Sequence, residues 1–465
     1  MLIATSDFMR KLLLFTFSFF VSIIAFSQVI VTEPCGQREL MDQLEKQYPG
    51  FKKQMDVDYL KTVHPKVSIE PRKKIITDTI YYYDTIYTIP VVFHVLYNVP
   101  SENIHDSLLI NQIEVLNRDY RHNNADSVNT RAIFQPRAGD VRIQFELPKI
   151  DPTGKPTNGI VRKATSVASW GTNGGINNNM KYSNTNGDDN WNPLKYLNIW
   201  VCDLTYKNQD GLLGFAYPPY GHPSWGSTSW VGGPDQGVVL HYKIVGRNNP
   251  LANTTLLSSS NYGRVAVHEV GHFFGLRHIW ADDQYSFNKC NVDDYIDDTP
   301  LQGVGSNFDC NKNLNSCIEP KNDMPDMVEN YMDYSTHQCQ NLFTKHQAIT
   351  MRNAITDFRK DLPIKTEIIV KARIYDTIVY NEVLIYPVAS QSKLVIELRN
   401  QDLLDNLSVE IYNMIGQPVL ENQLIVKNFT ELSTMKFPPA TYIVVLRNSE
   451  GKVVRNKKIV IDRVD

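Results

Sequence analysis

The sequence predicts an α+β chain: a twisted mixed sheet with interspersed helices, followed by a small all-β sandwich. Three observations carry this. Apolar β-branched runs alternate with amphipathic helical segments from residue 88 onward. A buried helical stretch at 265–276 holds a histidine cluster. From residue 381 short alternating strands recur at regular spacing, with a turn at Gly416-Gln417. At 465 residues the chain has room for two or three domains, one large enough for a full core.

Taken in order, Glu39 to Tyr48 reads as one amphipathic helix and Pro65 to Lys74 as an extended basic connector. Ile89 to Val95 and Tyr196 to Cys202 are apolar enough to be fully buried strands, with Cys202 a core thiol. Ser107 to Tyr120 is an amphipathic helix, and Val141 to Leu147 alternates as a half-buried strand does. Gly214 to Tyr217 and Gly237 to Ile244 follow as strands, one of them placed to rim a cleft where an extended peptide pairs by its main chain. Phe343 to Leu362 closes this region as a helix. In the tail the expected strands are Val383 to Tyr386, Lys393 to Leu398, Leu407 to Tyr412, Tyr442 to Arg447 and Val453 to Ile461.

The net charge of −3 points away from nucleic acid and anionic membranes. Arg10-Lys11, the apolar run Leu12 to Phe26 and Ser27-Gln28 have the layout of a signal peptide cleaved after Ser27; an uncleaved anchor is the alternative. No other stretch is apolar enough to span a bilayer, so the mature protein is expected to be exported, secreted or at the cell surface, without a transmembrane segment. Export permits disulfides among the six cysteines.

The chemistry concentrates in H-E-x-x-H-x-x-G-x-x-H, residues 268–278. On a helix, His268 and His272 lie one turn apart on one face and can aim at one ion. Glu269 beside them can reach a water on that ion as general base. Gly275 can adopt the left-handed conformation that ends a helix and returns His278 as a third nitrogen ligand. Three imidazoles plus water make an open, catalytic zinc site. By chance the full motif would arise in roughly one such chain in fifty thousand, which sets aside a helix of incidental buried histidines. Farther on comes Asn330-Tyr331-Met332-Asp333-Tyr334.

Four cysteines, Cys290, Cys310, Cys317 and Cys339, fall in a loop-rich segment where two bridges would limit chain freedom; three pairings are open. Four carboxylates crowd residues 291–299, which reads either as a calcium loop or as a solvated acidic loop. Upstream, Pro34-Cys35-Gly36 offers a thiolate that could close the zinc site and keep a zymogen latent; a third disulfide or a free thiol is the other reading.

A zinc motif followed by such a Met-turn resembles the metzincins. With I-P-V-V-F-H-V, L-N-R-D-Y, Y-L-N-I-W-V-C and D-D-T-P, the match over about residues 81–362 resembles the pappalysin family of metalloendopeptidases. The resemblance implies an α/β metzincin catalytic domain on polypeptide substrates. It implies His268, His272 and His278 as zinc ligands, Glu269 as general base and acid, Tyr334 as a phenolic partner and Met332 as a hydrophobic base under the site. It further implies bridges Cys290–Cys317 and Cys310–Cys339, Asp294 and Thr299 near a calcium, and Cys35 in a pro-segment. The tail, with Leu384-Ile385-Tyr386-Pro387 and Thr441-Tyr442-Ile443, resembles the sorting domain of the type IX secretion machinery; a plain adhesive module is the alternative. The expected layout is signal peptide 1–27, pro-segment 28–80, catalytic domain 81–362, linker 363–380 and sorting domain 381–465. The expected function is a secreted zinc endopeptidase made as a latent zymogen. The competing class is a catalytically silent, protease-like binding scaffold, against which an intact Glu269 argues.

Overall fold

The computed structural model describes residues 34–63, 72–76, 79–171, 176–205, 211–221, 230–281, 289–319, 323–373, 383–386, 389–390, 392–398, 407–425, 429–448, 451 and 453–462. Residues 1–27, where a signal peptide is expected, lie outside this set. The chain divides into two compact units, residues 1–69 with 86–366, and residues 70–85 with 367–465. Among the described residues no helix is long and apolar enough to cross a membrane.

The first unit opens with α1 (Gln37–Gln47) and α2 (Phe51–Val63), where the sequence suggested one helix. Helix α2 is illegible in sequence because the face it buries is mixed, Phe51 and Tyr59 beside Asp58 and Thr62. Its environment comes from elsewhere in the chain. The Arg277 guanidinium lies 4.1 Å over the Tyr59 ring, and Asn353 Nδ2 donates to the Thr62 carbonyl at 2.7 Å.

Strand β1 (Arg72–Ile76) and residues 79–83, which pair antiparallel, belong to the second unit; from residue 86 on, the long strand β2 (Thr79–Tyr97) organises the main sheet of the first. Along β2, Tyr87–Pro90 pairs parallel with β3 (Ile143–Glu146) and Phe93–Tyr97 pairs parallel with β4 (Ile160–Ala164). Val91–Val95 pairs parallel with β5 (Leu197–Cys202). Beyond β5 come β7 (Val238–His241), parallel, and β6 (Gly214–Ala216), antiparallel to β7 at the sheet edge. Every residue of β5, β6 and β7 is buried, as their predominantly apolar runs require, with Asn198 and His241 the polar exceptions. The strand expected over 237–244 stops at His241, whose Nδ1 accepts from Lys243 N and turns the chain into a short 3₁₀ segment. Strand β4 escaped the sequence reading because its residues are only half-buried and charged at Arg162 and Lys163.

Helix α3 (Asp106–Tyr120) packs on β3 and on the central helix α4 (Arg264–Phe273), so α4 lies under the sheet. Helix α5 (Lys345–Phe358) starts in a capping box. Thr344 Oγ1 accepts from Gln347 N, and Gln347 Oε1 accepts from Thr344 N.

Strand β8 (Ile364–Arg373) follows α5, and in the second unit β9 (Val383–Tyr386), β11 (Lys393–Leu398) and β14 (Phe429–Ser433) form one sheet. The other is β10 (Ala389–Ser390), β16 (Val453–Ile461), β15 (Ala440–Asn448), β12 (Leu407–Asn413) and β13 (Pro418–Leu424). Leu394 and Ile396 of one sheet share a core with Val409, Val444 and Ile459 of the other, which makes a sandwich. All five expected strands are present. Strands β13 and β14 are additions, largely exposed edges whose polar residues hide them from a pattern search.

Candidate metal centre

Helix α4 is buried on every face. Its first residue, Arg264, is held by two carboxylates: Nε donates to Asp119 at 3.0 Å and Nη1 reaches Asp126 at 2.8 Å. A guanidinium without such partners would be costly in this interior. At the far end, Gly275 N donates to the His272 carbonyl and Leu276 N to the Gly271 carbonyl, both at 2.9 Å. This is the double bond of a Schellman stop. Gly275 has φ +94°, and a Cβ there would lie 2.1 Å from the Tyr220 hydroxyl, so only glycine fits both backbone and space.

The turn brings His278 back against the helix. The three Nε2 atoms form a triangle: His268–His278 3.0 Å, His268–His272 3.1 Å and His272–His278 3.2 Å. Tetrahedral zinc with nitrogen at ~2.0–2.1 Å needs donors about 3.3 Å apart, so the donor set fits this ion. Tautomers are set from behind. His268 Nδ1 donates to the Tyr331 carbonyl at 2.7 Å and His272 Nδ1 to the Leu276 carbonyl at 2.8 Å, leaving both Nε2 lone pairs facing inward. Burial holds His268 well below the usual imidazole range, hence neutral. His278 is fixed by a parallel stack on Trp280, centroids 4.4 Å apart.

Glu269 lies beside the triangle and is buried. Its Oε2 accepts from the Cys35 thiol at 3.6 Å, and among the described residues its Oε1 has no hydrogen-bond partner. Burial pushes its carboxyl up to about 8, against the pull of the Cys35 hydrogen bond. The edge strand β6 passes directly above. A Cβ on Gly214 would lie 2.9 Å from Glu269 Cγ, so this rim position must be bare for the strand to approach the carboxylate. Gly36 N donates to the Gly214 carbonyl at 2.9 Å and Leu213 N to the Pro34 carbonyl at 2.8 Å, so Pro34–Gly36 runs parallel along the rim. Cys35 thereby offers its sulfur within 4.8 Å of one nitrogen from each of the three histidines.

Met332 is wholly buried, and its Sδ would sit 2.6 Å from a Cβ on Gly271, between the two helical histidines. The Tyr334 ring stands edge-on to His278, centroids 4.8 Å apart, and 5.8 Å from His268. The structure bonds Cys290 to Cys317 and Cys310 to Cys339, with Cα separations of 5.6 and 5.9 Å; Cys202 is a buried free thiol. Asp294 is buried away from the histidines. Its Oδ1 accepts from Thr299 Oγ1 at 2.8 Å and Ile296 N at 3.0 Å, and its Oδ2 has no partner. Sequence reading missed Trp280, Gly214, Gly271 and Arg264; of these only Gly271, inside the motif, carried any local signal.

A family model described as pregnancy-associated plasma protein-A, peptidase family M43, matches residues 234–356. A second, described as a secretion system C-terminal sorting domain, matches residues 384–462. An extracellular metalloprotease of Arthroderma benhamiae is 28% identical over 275 residues, 58% of this chain and 73% of that protein. Mature mirolysin of Tannerella forsythia, solved with a cleaved peptide, is 40% identical with a TM-score of 0.50, over 60% of this chain and 96% of that one. A mutant of Tannerella forsythia promirolysin is 36% identical with a TM-score of 0.56, over 70% of this chain and 96% of that one. Fold, histidine site and likeness together define a secreted metalloendopeptidase. The chain belongs to the peptidase M43, or pappalysin, family.

The contact at Gly271 gives a direct test of the Met-turn packing. Gly271→Ala should destabilise the protein by about 1–3 kcal/mol, because a methyl there overpacks against Met332. Denaturant unfolding measures the loss; an unchanged midpoint would show that Met332 can move aside freely.

Proposed function

We propose that the protein is a zinc-dependent endopeptidase made as a latent precursor, with His268, His272 and His278 holding the ion. The observation that carries this is the triangle of inward-facing Nε2 atoms with the Glu269 carboxylate alongside, beneath a sheet edge. Zinc bound there supplies a Lewis acid for the scissile carbonyl and lowers the pKa of water. The chain's own groups do the rest. Strand β6 offers main-chain hydrogen bonds to an extended polypeptide. Glu269 takes a proton from the attacking water and hands it to the leaving amine. The Tyr334 phenol donates to the oxygen on which charge develops. Met332 supports the histidines from below.

Latency comes from residues 28–80. Pro34–Gly36 fills the rim groove that a substrate would use, and Cys35 presents a fourth donor to the histidines. Residues 1–27 act as the signal peptide, and 363–380 link the catalytic domain (81–362) to the sorting domain (381–465), which hands the protein to type IX secretion machinery. Asp294 and Thr299 border a calcium site. Burial and the neighbouring Asp293 push the Asp294 carboxyl well above its usual range, and a cation at the unpartnered Oδ2 would reverse that penalty.

Glu269→Ala should lower peptide hydrolysis by about 10²–10⁴-fold while zinc content is kept, and a chelator should abolish hydrolysis. A folded, zinc-loaded wild type that cleaves no peptide would bring the binding-scaffold reading forward. Cys35→Ala in the full chain should raise basal hydrolysis several-fold, since one of the two blocking contacts is lost. An unchanged rate would assign latency to main-chain occupation of the rim alone. Calcium at 100 times its Kd should stabilise the fold by about 2.7 kcal/mol, seen as a raised melting temperature. Asp294→Asn should remove that rise, and a rise that survives would move the calcium site elsewhere.

A further inference from the structure

The cleft does not end at Glu269. It continues between the first turn of α4, at Val265, and the loop Asp333–Gln340, roofed by Pro34 and Cys35. The loop is stapled from outside by the Cys310–Cys339 bridge, with Thr336 Oγ1 lying 2.8 and 3.2 Å from the two sulfurs.

Two lining side chains are buried with one polar atom left over. Gln340 is 3% exposed; its Nε2 donates to the carbonyls of Asp333 (2.8 Å) and Ser335 (3.3 Å), and its Oε1 accepts from nothing. His337 is 6% exposed, and among the described residues its Nδ1 has no hydrogen-bond partner. A neutral imidazole nitrogen accepts in one tautomer and donates in the other, so Nδ1 can take either role. Unpaired buried polar atoms are costly, and two in one small cleft, one of them an obligate acceptor, call for a polar group from outside the chain.

The donor's charge is constrained as well. Two carboxylates line the cleft among its described residues: Glu269, the proposed general base at its inner end, and Asp333, which is already satisfied, since Oδ1 accepts from Gln302 Nε2 (3.0 Å) and Ser306 N (3.1 Å), and Oδ2 from the Ser306 hydroxyl. The Arg264 guanidinium stands behind the loop, donating to the His337 carbonyl at 2.7 Å. A cationic side chain would be desolvated here with no counter-charge to spare but the general base itself, and an aliphatic one would leave both polar atoms unmet.

We propose that this pocket receives a side chain flanking the scissile bond and selects a neutral hydrogen-bond donor, the carboxamide of Asn or Gln, through His337 Nδ1 and Gln340 Oε1. The proposal rests on the endopeptidase reading above. The carboxamide NH₂ donates to Gln340 Oε1, and its second N–H or its carbonyl meets His337 Nδ1 in either tautomer; the stapled loop holds both in place. A site built to bond such a group discriminates strongly against analogues that lack it.

The test is a cleavage profile of the full chain, activated by limited proteolysis with the activating protease then inhibited, on a peptide library of even composition. Asn or Gln beside the cleaved bond should be enriched at least fivefold. Gln340→Met and His337→Phe, each checked for a cooperative melt, should lower kcat/KM on the best carboxamide peptide by about tenfold. The rate on a peptide carrying Leu at that position should fall by no more than about twofold in either variant, a split between the two peptides that general damage to the site would not produce. Enrichment of Arg or Lys, or no preference at all, would overturn this proposal and leave the endopeptidase reading standing. Absence of any cleavage by the activated wild type would overturn both. The wild-type profile decides the matter even if neither variant folds.

Discussion

The constraint on which the site depends is that three neutral imidazoles must point their lone pairs at one spot about 3 Å across. Nothing in the protein attracts them to each other; without an ion, converging acceptors repel. They are held there by what stands behind them: the Tyr331 carbonyl on His268, the Leu276 carbonyl on His272 and the Trp280 ring on His278. Each support belongs to a different device. Tyr331 opens the Met-turn, Leu276 closes the helix stop, and Trp280 follows the returning loop. The helix alone therefore does not make the centre. It supplies two ligands, and the turns around it orient all three.

The same economy appears at the rim. Strand β6 is short, buried and at the sheet edge, and its Gly214 brings bare backbone against Glu269. That leaves a line of main-chain donors and acceptors directly above the carboxylate. In this structure the line is occupied by Pro34–Gly36. Under the proposed reading, latency and substrate binding compete for one set of hydrogen bonds, and the thiol adds a contact specific to the metal site. Helices α1 and α2 supply the anchorage. Leu40, Met41, Leu44 and Phe51 join a cluster with Trp200 and Phe215 of the sheet and with Trp230, so the occupying segment is tethered by packing rather than by the three residues in the groove.

Below the site, the segment between His278 and α5 has little regular structure among its described residues. Its order comes from two disulfides and from buried polar groups such as Asp333, which ties Ser306 and Gln302 to the Met-turn. Such a region can carry irregular backbone and unpaired polar atoms at a defined place because cross-links, not a repeating ladder, set its shape.

The sequence by itself determined the chemistry at the centre. Ligand spacing along a helix, the glycine that ends it and the adjacent carboxylate are local facts, governed by helical geometry and by the conformations glycine permits. The apolar runs of β5 and β7 and the alternation of the tail strands were legible for the same reason: burial on both faces or on one leaves a short-range imprint. Only the tertiary structure decided the rest. Helix α2 has no clean apolar stripe because its partners, Arg277 and Asn353, lie more than two hundred residues away. The need for glycine at 214 arises from Glu269 crossing beneath it, which no local window records. Strands β13 and β14 are exposed edges, held by pairing more than by burial. The pocket beyond Glu269 exists only because a cross-linked loop returns to the start of α4 and leaves His337 and Gln340 each with a buried polar atom unmet. Local rules fix which groups can bind an ion; which groups stand around it depends on contacts between segments far apart in the chain.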